Sequence, residues 1–274
     1  MSFSIAGKTA IVTGAANGVG LAIARHFIDK GARVICADMD EAGLIQEFGA
    51  NQESDLDGAE PMVRIFSGDL REKLTVANLL SATIDAFDRV DILINASRQV
   101  MTSDPLDSDD KAVETLLDQN LMASLRLSQA VARRMISQGE TDTDEGAQLG
   151  SIVNLTSIAA VRTQPGLMAF SIASAALEQA TRSLAVALAP HNIRVNAVCF
   201  GSVMSASFRD AIRDNPDMRD MVIDGTPLGR IAEASEVAEA AHFLSSSASR
   251  FMTGQVVTVD GGRTVVDAVG APTH

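Results

Sequence analysis

One octapeptide near the start of the chain, Thr13-Gly14-Ala15-Ala16-Asn17-Gly18-Val19-Gly20, has the residue types and spacing to hold a phosphate. The β-branched run Thr9-Ala10-Ile11-Val12 leads into it. A helical pattern leaves it, with Val19, Ile23, Phe27 and Ile28 on one face. A strand, a glycine turn and a helix start together point free N–H groups at an anion. Gly14 permits a tight exit from the strand, Gly18 lets backbone approach a pyrophosphate, and Gly20 lets the helix pack close to the sheet. Asn17 and Val19 lie between these glycines and join them as candidate dinucleotide contacts.

A second candidate lies at the expected distance from that turn. Arg33-Val34-Ile35-Cys36-Ala37-Asp38 reads as a buried parallel strand ending in an acid. A carboxylate there suits the adenosine ribose hydroxyls and repels a 2′-phosphate. The next residue is Met39 rather than Arg, so the pair favours NAD(H) over NADP(H). A solvated strand-end acid is the plainer alternative for Asp38.

These residues need elements to position them, and the chain supplies them in alternation. Val63–Phe66 reads as a third strand, followed by Gly68-Asp69-Leu70. Asp69 either reaches an adenine or caps the helix expected to start near Glu72. A fourth strand, Val90–Asn95, is followed by a helix expected from about Ser108 to Gln138 that carries Asn120. Ile152–Leu155 forms a fifth strand ending at Thr156-Ser157, and Ala169–Ala189 a helix rich in small residues. Ile193–Val198 and Val256–Val259 read as sixth and seventh strands. Polar, acidic residues 49–60 and 139–150 read as surface loops, and residues 201–230 as a lid or short-helix insert. Strands alternating with helices predict an α/β fold, a single doubly wound Rossmann-like domain over residues 1–274.

Composition sets the outer bounds. The chain has 274 residues, 46% of them hydrophobic, and a formal charge of −13. That charge disfavours nucleic acid and anionic membrane as partners. There is no run of 18 apolar residues and no signal-peptide pattern at the start, so the expected compartment is the cytoplasm. Cys36 and Cys199 both fall in buried strands, which favours core packing over a disulfide or a metal site. The chain has no Tyr and no Trp.

Taken together, the motifs resemble the short-chain dehydrogenase/reductase family over essentially the whole chain. The matching segments are the glycine turn from Thr13 to Gly20, Asp69-Leu70, Asn95-Ala96, Asn120, Ser157, Ile193-Arg194-Val195-Asn196, and Thr253-Gly254-Gln255 with Asp260-Gly261-Gly262. The resemblance implies a sheet of seven parallel strands flanked by helices, a nicotinamide cofactor, and a dimer or tetramer. It implies cofactor contacts at Gly14, Asn17, Gly18, Val19, Gly20, Asp38, Met39, Asp69, Leu70, Asn95, Ala96 and Ser97. It also implies a helix packing on its mate across a two-fold axis, here the one bearing Ala169, Ala173, Ala175, Ala176, Ala180 and Ala185.

The family's proton chemistry uses a Tyr, a Lys four residues later, and a Ser about thirteen residues before the Tyr. Counting from Ser157, the Tyr position holds Phe170 and the Lys position holds Ser174. The family's Asn-Ala-Gly is Asn95-Ala96-Ser97 here, and its Pro-Gly after the sixth strand is Phe200-Gly201. With no Tyr in the chain, a second copy cannot supply a phenol either. Phe170 cannot carry a proton, and losing general acid–base catalysis costs typically ~10²–10⁴-fold in rate. Ser157 and Asn120 are retained, each with a plainer alternative as strand terminator or backbone clamp.

Three readings follow. One is an impaired NAD(H)-binding subunit supporting an active homologous partner. The second is a working oxidoreductase with a proton relay through Ser157 or Ser174. The third is a nucleotide sensor or structural protein. Arg98 and Arg162, after the fourth and fifth strands, either hold an anionic substrate or, more simply, lie in solvent. The histidines His26, His191 and His242 are not expected near Ser157.

Overall fold

The computed structural model describes residues 2–52, 62–140, 148–204, 208–209, 212–213 and 215–267. The bulk of the two acidic segments, 53–61 and 141–147, part of the 201–230 insert, and the tail from 268 lie outside the described residues.

Seven strands form one parallel sheet in the order β3-β2-β1-β4-β5-β6-β7. They are β1 Thr9–Thr13, β2 Arg33–Asp38, β3 Val63–Ser67, β4 Ile92–Asn95, β5 Gly150–Ser157, β6 Ile193–Phe200 and β7 Val256–Val259. Residues of β1, β5 and β6 are buried throughout, as expected of parallel strands covered on both faces. The helices are α1 Gly18–Asp29, α2 Glu41–Gln52, α3 Lys73–Phe87, α4 Ala112–Leu116, α5 Ala123–Gly139, α6 Met168–Leu188, α7 Asp217–Asp224 and α8 Ala234–Ser245.

Two apolar layers sandwich the sheet. One joins Ile23 and Phe27 of α1, Leu44 and Phe48 of α2, and Val237, Ala241 and Leu244 of α8. The other joins Leu79 of α3, Leu127 and Val131 of α5, and Ala185 of α6. A third, smaller cluster surrounds Phe170 with Ala112, Leu116, Ala159, Ala169 and Ala173, wedging the start of α6 against α4. Cys36 and Cys199 are buried free thiols, and burial raises the Cys199 thiol to about 12.

Sheet order reverses between β1 and β4, and in open α/β sheets ligands bind outside the carboxyl ends of strands at such a point. The glycine turn sits there, at the end of β1. The loops after β4, β5 and β6 form the other side of the same edge.

Three local expectations are corrected. The long helix begins at Ala112 rather than Ser108, because Asp104, Asp107 and Asp110 close turns that occupy residues 104–110. A π-helical segment, Leu117–Met122, joins α4 to α5 and carries Asn120. Residues 49–52, expected to begin a surface loop, are the end of α2. On α6, Ala169, Ala173 and Ala185 are buried against the core, so they cannot form the outward small-residue face expected of them. Only Ala175, Ala176 and Ala180 of that set lie on the outer side.

Candidate active site

The glycine turn is built as a cradle. A side chain at Gly20 would place its Cβ 2.0 Å from the Gly14 carbonyl oxygen, so nothing larger than hydrogen fits where α1 meets the turn. Gly14 adopts a left-handed conformation (φ +66°), and a Cβ there would lie 2.8 Å from the Ser97 nitrogen. Gly18 is also left-handed (φ +57°), yet a Cβ there would meet nothing within 4 Å. Open space in front of Gly18 is room for a ligand to approach. The N-terminus of α1 has no side-chain cap at Asn17 and no acid in its first turn, so its N–H groups are left for an anion.

Asp38 is tied to this cradle. Its Oδ2 accepts the Ala16 N–H at 3.0 Å and its Oδ1 accepts the Asp40 N–H at 3.1 Å. Each carboxylate oxygen retains a lone pair for a further donor such as a ribose hydroxyl. Met39 is 55% exposed beside it. Asp69 does not cap the helix expected near Glu72. Arg71 donates to both Asp69 oxygens, Nε to Oδ1 at 3.0 Å and Nη2 to Oδ2 at 2.6 Å, and this pairing lowers the Asp69 pKa. Glu72, not Asp69, stands at the start of α3. Leu70 is buried in the core.

On the β4 side, Thr13 Oγ1 accepts the N–H groups of both Ala96 and Ser97 at 3.0 Å. That hydroxyl fixes the Asn95-Ala96-Ser97 loop against the glycine turn. The Asn95 side chain points into the core: its amide donates to Ser128 Oγ at 2.9 Å and Asn154 Oδ1 at 2.8 Å. Asn154 in turn donates to Thr181 Oγ1 on α6 at 2.8 Å. Any ligand contact at Asn95 must therefore come from its backbone.

Asn120 holds the next stretch of the loop. Its Oδ1 accepts the Gln99 N–H and its Nδ2 donates to the Gln99 carbonyl, both at 2.8 Å. A two-sided amide clamp of this kind fixes the residue before Gln99, Arg98, in place. Ser157 ends β5 and is 8% exposed, and its Oγ accepts the Ala159 N–H at 3.2 Å. The hydroxyl proton of Ser157 is left to donate. Ser157 is in register with Phe200 of β6.

Phe170 and Ser174 lie one turn apart on α6, each 5% exposed. Arg98 is not solvated as expected. Its side chain leaves β4, crosses the end of β5, and lies on the ring at the end of β6. The guanidinium carbon is 4.1 Å from the Phe200 ring centroid and 5.8 Å from that of Phe170. Nη1 donates to the Thr156 carbonyl at 3.4 Å. Desolvation pushes the Arg98 pKa down to about 10, so it stays protonated at neutral pH. Arg162 is exposed and donates to the Thr264 carbonyl. His26 and His242 lie away from this edge, bonded to each other at 2.9 Å between α1 and α8.

The cluster of Arg98, Phe170 and Phe200 was not legible as a unit. Three of its neighbourhood's departures from the family pattern, at positions 97, 170 and 200, are scattered in sequence and meet only in the fold.

Comparison with known proteins agrees with this architecture. The family model described as Enoyl-(Acyl carrier protein) reductase matches residues 14–264. The chain belongs to the short-chain dehydrogenase/reductase family. It is 35% identical over 266 residues to galactitol 2-dehydrogenase (L-tagatose-forming) of Cereibacter sphaeroides, covering 96% of this chain and 97% of that one. It is 31% identical over 271 residues to oxidoreductase UcpA of Salmonella typhimurium, covering 97% of each. Among solved structures it superposes on a gluconate 5-dehydrogenase from Burkholderia cenocepacia in complex with NADP and tartrate. The TM-score is 0.83 at 25% identity, over 97% of this chain and 98% of that one. The chain is thus an oxidoreductase-family protein of a nicotinamide-cofactor fold. Among the described residues, no helix is long and apolar enough to cross a membrane.

Proposed function

We propose that the chain is a single NAD(H)-binding domain whose own hydride-transfer site is impaired, serving as a non-catalytic or supporting subunit of an oligomeric dehydrogenase in the cytoplasm. The observation that carries this reading is Phe170, a 5% exposed phenyl ring where the family's proton carrier stands, with Ser174 one turn later. When bound, the cofactor supplies hydride chemistry; the chain must move the accompanying proton. A phenyl ring offers no titratable group, and the hydroxyl of Ser174 offers no cation.

The residues fit the cofactor. The backbone of the turn from Gly14 through Asn17, Gly18, Val19 and Gly20 would hold the pyrophosphate. Asp38 would take the adenosine ribose, with Met39 flanking it, and the acid favours NAD(H) over NADP(H) by repelling a 2′-phosphate. The backbone of Asn95, Ala96 and Ser97 would line the other half. Asn120 and Ser157 would serve as positioning groups there, and residues 201–230 as the lid.

Assembly follows from α6. Its outer side carries Ala175, Ala176 and Ala180 between Ile172 (42% exposed) and Val186 (78% exposed), a face suited to close two-fold packing. A dimer or tetramer, with itself or with an active homologue, is expected rather than a 28.8 kDa monomer in light scattering.

A second reading, an active oxidoreductase using Ser157 in a relay, is favoured by one fact: the relatives named above carry oxidoreductase or dehydrogenase names and match over nearly their full length. The experiment that separates the two is NADH formation at 340 nm across an alcohol panel, for wild type and Ser157→Ala. Negligible wild-type turnover with NADH binding intact supports impairment. Clear turnover abolished by Ser157→Ala supports the relay.

A further inference from the structure

Four of the chain's other arginines show two ways in which a guanidinium is satisfied here. Arg71, Arg182 and Arg230 each have a carboxylate, at Asp69, Glu178 and Glu236. Arg194, the other strongly desolvated one, donates to three carbonyls, those of Leu244, Ser246 and Met252. Arg98 has neither arrangement. Of its five N–H donors, one reaches a carbonyl, and at the long distance of 3.4 Å. Its remaining contacts are the faces of two aromatic rings.

This is costly in a chain with 35 acids and 22 Lys and Arg. A half-buried guanidinium without an acid beside it is stabilised by ring contact only in part. Beyond the long bond from Nη1 to the Thr156 carbonyl, its N–H groups have no acceptor among the described residues. Asn120 holds the loop behind it through both backbone groups of Gln99. The group is therefore preorganised and under-satisfied, at the strand-end edge where ligands bind in this architecture.

We propose that Arg98, stacked on Phe200 and Phe170 and held in place by Asn120, is a carboxylate-binding subsite of the cofactor crevice, taking a small organic acid. The placement of the crevice rests on the cofactor reading above. A planar carboxylate matches the guanidinium fork with two parallel hydrogen bonds. Burial depresses the Arg98 pKa, as an uncompensated cation requires, and an arriving carboxylate relieves that burden.

The test is calorimetric titration of the full chain, cofactor-free and NADH-saturated, with lactate, malonate, methyl lactate, glycerol and inorganic phosphate. Wild type should bind lactate or malonate at least about tenfold more tightly than methyl lactate or glycerol, the difference one charge-assisted hydrogen bond makes. Arg98→Gln should weaken the carboxylates roughly 10–100-fold, and Arg98→Lys, which keeps charge without the fork, by less. Equal affinity for lactate and its methyl ester overturns the proposal, as does phosphate binding more tightly than malonate. An Arg98→Gln chain that loses NADH as fully as lactate also overturns it, by assigning the guanidinium to the cofactor. The wild-type ester comparison stands even if Arg98→Gln misfolds. Absence of NADH binding in a folded wild type would sink the cofactor reading alone, because the cofactor-free titration reports on Arg98 independently.

Discussion

The two sides of the strand-end crevice differ in what has been kept. On the β1–β2 side, the glycines, the uncapped start of α1 and Asp38 form a cradle with no substitution that blocks it. On the β4–β5–β6 side, Phe170 and Ser174 stand where the resemblance puts the proton carrier and its cation, and Arg98 lies across the strand ends on the two phenyl rings. Arg98, Phe170 and Phe200 pack into one unit, and Asn120 clamps the neighbouring Gln99. Binding and chemistry can thus be separated within one fold, because the phosphate cradle is made by backbone and the proton chemistry by two side chains.

The comparison can be broken hardest at Gly20. Gly20→Ala puts a methyl group 2.0 Å from the Gly14 carbonyl oxygen, a backbone atom that cannot move without opening the cradle. Overpacking of this kind costs roughly 1–3 kcal/mol, so NADH affinity should fall up to about a hundredfold. Calorimetry showing unchanged affinity would mean that the turn is not the phosphate site. Asp38→Asn acts on the same side with a smaller effect. It removes the charge that excludes a 2′-phosphate, so NADH should weaken about tenfold while NADPH gains, and the ratio of the two dissociation constants is the readout.

Asn120→Ala probes the other side. It strips both hydrogen bonds from Gln99, at a cost of about 1–2 kcal/mol and ~2–4 °C in Tm. Lactate affinity should fall with it while NADH affinity holds, the reverse of the Gly20 result.

The smallest effect lies outside the crevice. His242 Nε2 donates to the Phe3 carbonyl at 2.8 Å, and its Nδ1 pairs with His26 Nε2 at 2.9 Å. Burial and the neighbouring His242 and Lys30 lower the His26 pKa below 6.5, against the opposing pull of Glu239 and Asp29. As pH falls through 6.5 the unfolded chain takes a proton before the folded one does, so stability drops with acid. The urea midpoint should decline from pH 7.5 to 5.5 in wild type and decline less in His26→Gln.

The sheet and the cradle were legible because their signals are local. Buried parallel strands are continuous apolar runs such as Ile92–Ile94, and the glycine turn needs its three glycines whatever surrounds it. The end of α2 reads as loop in the sequence because the helix buries little: Gly43 and Gly49 interrupt it, and only Leu44 and Phe48 enter the core. The π-helical segment leaves the apolar pattern of the long helix undisturbed, so nothing in the residues marks it. Asp69 does not cap the helix because Arg71, two residues on, holds its carboxylate. Arg98 looked like surface because its environment comes from β6 and α6, each about 70 or more residues away in the chain.

The central claim is that the cofactor side is intact and the proton side is not. It is tested most directly by hydride transfer at 340 nm, with alcohols and 2-hydroxy acids, in wild type and in Phe170→Tyr with Ser174→Lys. The account predicts that wild type binds NADH yet turns over negligibly. The double variant should recover measurable turnover, because Ser157, Asn120 and the cradle are already in place. Robust wild-type turnover, lost in Ser157→Ala, would contradict it.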